Sequence, residues 1–472
     1  MPDRPRMVEP RLPRPSSRLH FPGAPIPARA LAGLFVLAAL LQFGLARLEG
    51  PLAQPHSRSL SGDEKRYVEV ATAWAAGEPA ELDPLWPPGY PAAVALILRC
   101  GGSLGWVVGL QMLSLLAAGV ALGGLAREAG ATLWIAWLAA ALLVVDPEVA
   151  GFAWLFRPEA LHLALLVTAL LLATRLARQA DGPPRTAGLL LLGTVVGLAI
   201  ALKSLLLPFA PVLLIPLLRA PGWRRRLTRG WLVALPLVVV LTPVALFHHA
   251  RSGTWTLGGS ARFNLWVGLN DRALQSLAED QAWAEYLSYR AGGATFAERQ
   301  DALTKRLLDL VEVRGLPAII AGQFPRQYFR LFDRESYFSA MLPPRGSRYL
   351  AGEGYRQAPP WLARLFGAGA AVLYVAILCC APFGLVRLLR ERRPGACWVA
   401  ALLAYQLVLF YFLHVKSRYR LTLLPLLVLG AAWAVETVRR RRRQEGSPVS
   451  AFDLVLGGAG ATLLLFFAYG AA

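Results

Sequence analysis

The sequence predicts an all-α fold, a polytopic membrane helical bundle with interfacial helices in its first outer loop and a small outer subdomain. Three observations predict it. Hydrophobic residues make up 56% of the 472 positions and charged residues only 17%, with a mean hydropathy of +0.46, which is outside the range of soluble globular chains. Apolar stretches able to cross roughly 30 Å of hydrocarbon, which takes about 20 residues, recur along the whole chain. Arginines gather in short clusters between those stretches, where they set orientation in the membrane. The net charge of +20 therefore reads as a topology signal and excludes a nucleic-acid surface as its explanation.

In chain order, residues 1–28 are Pro-rich and carry Arg4, Arg6, Arg11, Arg14 and Arg18 without a signal-peptide cleavage pattern. They read as a disordered basic tail in the cytoplasm. About eleven spans follow, near 29–49, 104–126, 132–151, 159–176, 186–202, 204–219, 231–249, 361–387, 395–414, 420–437 and 453–471. From a cytoplasmic N-terminus, every strong cluster falls inside: Arg127; Arg175, Arg178 and Arg185; Arg219, Arg224, Arg225, Arg226 and Arg229; Arg387, Arg390, Arg392 and Arg393; and Arg439 to Arg443. A miscount of one span would throw half of them outside, so the agreement supports both count and direction.

Three outer segments remain. The first, 50–103, holds Asp63-Glu64, then Trp86-Pro87-Pro88-Gly89-Tyr90-Pro91, then an apolar run Ala92 to Leu98 too short to span and expected at the interface. The second is the connection from Asp146-Pro147-Glu148 through Phe156-Arg157-Pro158-Glu159. The third, 250–360, is large enough for a small subdomain; its Leu303 to Val313 stretch has helical periodicity, and Ile319 to Phe332, with Arg326 and Arg330, reads as interfacial. Residues 361–472 hold the C-terminal membrane helices. Cys100, Cys379, Cys380 and Cys397 show neither disulfide nor metal-ligand spacing. His248 and His249 lack a partner at ligand spacing, so no metal site is assigned and any divalent-metal requirement stays open. There is no internal repeat and no Gly-rich nucleotide loop.

The charged residues of the outer face carry the functional signal. They are Asp63-Glu64 with Arg66; Phe156-Arg157-Pro158-Glu159-Ala160 at the start of a span; Gly197-Leu198-Ala199-Ile200-Ala201-Leu202-Lys203 at the end of another; and Lys416-Ser417-Arg418-Tyr419-Arg420 before the tenth. Together with Pro87-Pro88-Gly89-Tyr90-Pro91, their order and sidedness resemble the GT-C glycosyltransferases. The resemblance is to the branch of the protein O-mannosyltransferases and the aminoarabinose transferases of lipid A, the glycosyltransferase family 39-like enzymes, and it covers about residues 29–437.

The resemblance implies an inverting glycosyltransferase of the bacterial inner membrane. It would move a sugar from a polyprenyl-phosphate donor to a hydroxyl or phosphate of an envelope lipid, glycan or protein on the periplasmic face. Residues 29–249 would form its catalytic module. Asp63 takes the family's place of the catalytic carboxylate, a base beside the acceptor, with Glu64 orienting it or the acceptor. Such chemistry needs cations beside the departing phosphate, and Lys203, Arg66 and Arg418 are the candidates, with Arg157, Glu159, Tyr90 and Tyr419 around the substrate. Each has a plainer reading. An acidic pair keeps a loop in water, a helix-end Lys snorkels, and Arg–Glu pairs anchor at the interface.

Two departures from the family stand out. Trp86-Pro87-Pro88 replaces a segment in which aminoarabinose transferases carry a Lys, and about 110 outer residues fall short of the large soluble domain of eukaryotic mannosyltransferases. A transporter or flippase of a lipid-linked substrate would also have about eleven spans. Its charges are expected near mid-membrane and its halves repeated, whereas the candidates here cluster at one face. A membrane scaffold that binds a partner through its outer loop would tolerate Asp63→Asn.

Overall fold

The computed structural model describes residues 28–49, 62–179, 186–215, 221–270, 281–334, 360–445 and 447–470. The N-terminal tail and parts of the two long outer loops lie outside the described residues, so the expectation of disorder over 1–28 falls there except at Ala28, which begins α1. Regular structure among the described residues is helical. In order, the helices are α1 (Ala28–Glu49), α2 (Gly62–Ala76), α3 (Gly89–Arg99), α4 (Leu104–Glu128), α5 (Leu133–Val145), α6 (Pro147–Gly151), α7 (Glu159–Arg178), α8 (Thr186–Leu202) and α9 (Ala210–Leu214). They continue with α10 (Trp223–Ser252), α11 (Ser260–Asn270), α12 (Gln281–Ala291), α13 (Phe296–Arg314), α14 (Leu316–Phe332), α15 (Pro360–Arg390), α16 (Ala396–Phe412), α17 (Leu424–Arg442) and α18 (Ala451–Tyr469).

By length and composition, α4, α7, α10, the stretch Arg364–Arg390 of α15, and α18 are able to cross a membrane. Shorter apolar helices fill most of the other expected spans. Only 17% of the apolar window of α10 is buried inside the protein, and 22% of that of α18. Leu235, Val239, Val372, Leu463 and Phe466 point outward in consequence, an apolar exterior that belongs in lipid. The chain is an integral membrane protein.

Two expected spans are broken. The stretch 132–151 stops at Val145 because Asp146 turns the chain and caps α6, its Oδ1 accepting from the N–H groups of Glu148 at 2.9 Å and Val149 at 3.1 Å. Such a cap satisfies two donors that a helix start leaves open. The stretch 204–219 is, as far as it is described, a 3-10 helix Ser204–Phe209 followed by the five-residue α9. Lys203 lies in extended backbone between α8 and that turn. The first outer loop contributes two helices, α2 around Asp63-Glu64 as well as α3 over the apolar run Ala92 to Leu98.

Close helix packing uses small residues where backbones meet. A Cβ on Gly384 of α15 would lie 1.7 Å from the carbonyl oxygen of Gly430 in α17, and one on Gly89 of α3 would lie 2.3 Å from that of Ala201 in α8. The second contact brings the first outer loop against the chain next to Lys203.

The ends of the bundle differ in charge chemistry. At one end Glu128 pairs with Arg175 and Arg178, both at 2.9 Å, and Glu436 with Arg440 at 2.8 Å. Asp453 there holds Arg387 at 3.0 Å and Arg390 at 2.6 Å. Arg175, Arg178 and Arg440 of the expected inner-side clusters thus lie in the last turns of α7 and α17, with Glu159 and Ser417–Thr422 at the opposite ends of the same two helices.

Candidate active site

Asp63 and Glu64 occupy the first turn of α2, where carboxylates complement the helix dipole. Their side chains diverge. Asp63, 30% exposed, receives Arg157 Nη1 at 3.3 Å and Arg418 Nη2 at 2.9 Å, both on Oδ2. Glu64 is buried, and its Oε1 accepts from the backbone N–H of Phe156 at 2.7 Å. Adjacent acids on α2 therefore grip adjacent residues, Phe156 and Arg157, of the turn before α7.

That turn is held from below as well. Gln111, buried in α4, donates through Nε2 to the carbonyls of Ala153 at 2.8 Å and Leu155 at 3.0 Å, and Tyr90 Oη donates to Gln111 Oε1 at 2.8 Å. Tyr90 is fully buried on α3 and reaches the site through Gln111. A single Gln inside an apolar span was the available signal for this relay, since an amide is kept there only when it has partners. Arg66 turns away to the carbonyl of Glu81.

Glu159, at the start of α7, accepts from Lys203 Nζ at 3.0 Å, so the interruption after α8 places an ammonium beside the same turn. Lys203 and the Arg418 guanidinium also approach the ring of Tyr419, at 5.5 and 5.3 Å from its centroid. Tyr419 stacks on Phe410, with centroids 5.8 Å apart and planes inclined by 10°. Its neighbour Arg420 is buried on Glu148, with Nε at 2.9 Å and Nη2 at 2.5 Å from Oε2. Arg420 also bonds the carbonyl of Asp333 and lies 4.3 Å from the Tyr374 centroid. This anchor fixes the 3-10 helix Ser417–Thr422 and with it Arg418 and Tyr419.

The structure thus brings together Asp63, Arg157, Glu159, Lys203, Arg418 and Tyr419, and sets Glu64 and Tyr90 behind them as supports. Tyr67, one turn along α2 from Asp63, is a member that the sequence reading missed. Burial, then the charges of Asp63 and Glu159, push its phenol well above its ordinary pKa. Burial likewise raises Tyr419, with Asp63 and Glu159 adding to the shift and Lys203 opposing it. Both phenols therefore remain hydrogen-bond donors. Buried His414 joins the edge of the cluster, within the fields of Arg330, Lys416 and Asp63. A groove lined by Lys65, Val68, Glu69, Thr72 and Ala73 runs along another face of α2 and does not include Asp63. Among the described residues no group of His, Cys, Asp and Glu gathers as a metal-ligand set.

No family model matches the chain, and no curated protein matches it. Among solved structures it is similar to the oligosaccharyltransferase AglB of Archaeoglobus fulgidus in complex with an inhibitory peptide and a dolichol-phosphate. The TM-score is 0.49 at 14% identity, over 93% of this chain and 54% of that one. It is similar to the S. cerevisiae protein O-mannosyltransferase Pmt1-Pmt2 complex bound to the sugar donor, with a TM-score of 0.36 at 17% identity over 50% of this chain and 37% of that one. It is also similar to ArnT from Cupriavidus metallidurans bound to undecaprenyl phosphate, with a TM-score of 0.36 at 16% identity over 87% and 78%. The chain spans about half the length of the archaeal enzyme. These neighbours are GT-C glycosyltransferases, and at this distance the function of the chain rests on its own residues.

Proposed function

We propose that the protein is an inverting glycosyltransferase that moves a sugar from a polyprenyl-phosphate donor to an acceptor on the outer face of a bacterial inner membrane. The observation that carries the reading is the meeting of Asp63 with Arg157 and Arg418 beside Lys203. A carboxylate and three cations converge from four separate stretches of chain at one end of the bundle. The outer motifs and their order, which resemble GT-C transferases, support the same reading, as does the collection of arginine clusters at the far end.

The chemistry follows from these groups. An acceptor oxygen attacks the anomeric carbon from the side opposite the phosphate, the bond from that carbon to the phosphate oxygen breaks, and its electron pair leaves with the lipid phosphate. Asp63, whose Oδ2 holds the guanidinium groups, takes the acceptor proton on its carboxylate. Arg157, Arg418 and Lys203 neutralise charge gathering on the phosphate, Arg by its two-pronged geometry and Lys as a point charge. Displacement in one step inverts the anomeric centre.

Purified protein is tested with radiolabelled polyprenyl-phosphate sugars and a membrane extract as acceptor. Label moves to the extract with wild type and stays on the donor with Asp63→Asn. Unchanged transfer in that variant overturns the base assignment, and lipid translocation without transfer overturns the enzyme.

A further inference from the structure

Only one oxygen of the Glu159 carboxylate is engaged by Lys203. Lys203 occupies its Oε1 at 3.0 Å, whereas Oε2 is buried and accepts no hydrogen bond among the described residues. The side chain is only 5% exposed. A buried carboxylate oxygen without a donor is costly and calls for a partner brought from outside. Lys203, 18% exposed, has three N–H donors and spends one on Glu159. The couple thus presents one open acceptor beside open cationic donors, in the cluster where Tyr67 and Tyr419 sense both Asp63 and Glu159.

A sugar 1-phosphate has the complementary pair. Next to the phosphate on the anomeric carbon stands the hydroxyl of the adjoining carbon, a donor within one side-chain pair's reach. As the phosphate leaves, positive charge grows on the ring, that hydroxyl becomes more acidic, and its bond to a carboxylate strengthens. We infer that Glu159 accepts the hydrogen bond of the donor sugar's 2-hydroxyl while Lys203 holds the adjoining phosphate, so that donors with a free 2-hydroxyl are selected over their 2-deoxy counterparts. This rests on the transferase reading and names the donor class of that same site. With Arg157 and Arg418 assigned to the phosphate and Asp63 to the acceptor, the buried Oε2 of Glu159 is left for the sugar.

The test offers the full-length protein polyprenyl phosphate carrying glucose, mannose, galactose, arabinose or aminoarabinose, and then the 2-deoxy form of each sugar that is transferred. The 2-deoxy donor is expected to fall by about 10- to 100-fold in kcat/KM, the range for losing a hydrogen bond to a charged group. Since 2-deoxy donors ionise more readily in water, slower transfer reports the enzyme. Glu159→Ala is expected to bring the ratio of the two donors toward unity. Equal rates in the wild type overturn the proposal without recourse to any variant, and so does a loss in Glu159→Ala that is equal for both donors. Transfer of no sugar at all overturns the underlying transferase reading instead, so the two failures are distinct.

Discussion

Arg418 and Asp63 meet at 2.9 Å, which ties the 3-10 helix Ser417–Thr422 of the C-terminal part to the first turn of α2. The contact joins a residue from the C-terminal part to the proposed base on α2. Arg157 reaches the same oxygen from the turn before α7, so the geometry of Asp63 depends on three separate segments being docked at once.

Asp63→Asn removes the base and keeps the shape. Transfer from polyprenyl-phosphate sugar is expected to fall by about 10²- to 10⁴-fold, measured on the folded fraction recovered in detergent. Retained activity would place the base elsewhere.

Arg418→Ala removes one guanidinium from the proposed phosphate site. The expected loss in kcat/KM for the donor is ~1.5–3 kcal/mol, the range for a charge-assisted hydrogen bond. Arg418→Lys should recover only part of it, because a point charge does not reproduce the two-pronged fork. Full recovery by Lys would show that charge alone matters.

Arg420→Met leaves Glu148 buried without its cation. Breaking such a pair costs ~3–5 kcal/mol, which thermal unfolding in detergent would register as a large drop in midpoint. Adding Glu148→Leu should restore much of the stability, since the uncompensated charge is then gone. No difference between the single and double variants would mean the two residues are not coupled.

His414 gives a pH signature. Burial, then the charges of Arg330 and Lys416, lower its pKa well below the ordinary 6.5, with Asp63 opposing. The imidazole stays neutral in the folded state and charges once unfolded. Its contribution to stability is therefore whole above about pH 6.5 and is lost as pH falls from there toward the folded value, at up to ~1.4 kcal/mol per pH unit. Unfolding midpoints compared between pH 7.5 and 5.5 should separate in the wild type and separate less in His414→Gln. Equal separation would assign the acid sensitivity to other groups.

Gly384→Val drives a side chain into the backbone of α17, where even a Cβ would be 1.7 Å from the Gly430 carbonyl oxygen. The two helices must part, and overpacking of this kind costs ~1–3 kcal/mol or more. The folded fraction recovered in detergent checks it; normal recovery would mean that α15 and α17 pack otherwise.

Several site residues were legible before any coordinates. Lys203 stands out because charge bounded by apolar runs is costly unless it serves a purpose, and Asp63, Arg157 and Arg418 through the motifs that resemble the GT-C glycosyltransferases. Glu64 and Tyr90 were equally visible, yet their placement behind the site was not, because adjacency in sequence does not say which way a helix turns a side chain. Tyr67 and Gln111 were hidden for the opposite reason. A tyrosine near a loop and a lone amide in a span are ordinary until their partners are known.

That the chain is an all-helical membrane protein is legible from its residues alone, because hydrocarbon thickness and the charge of short loops act locally along the chain. The ends of the broken spans, the double grip of Asp63 on two arginines, and the open oxygen of Glu159 were decided only in three dimensions. Those features depend on contacts between segments far apart in the chain, and their distances are set by how helices dock, which a one-dimensional pattern does not carry.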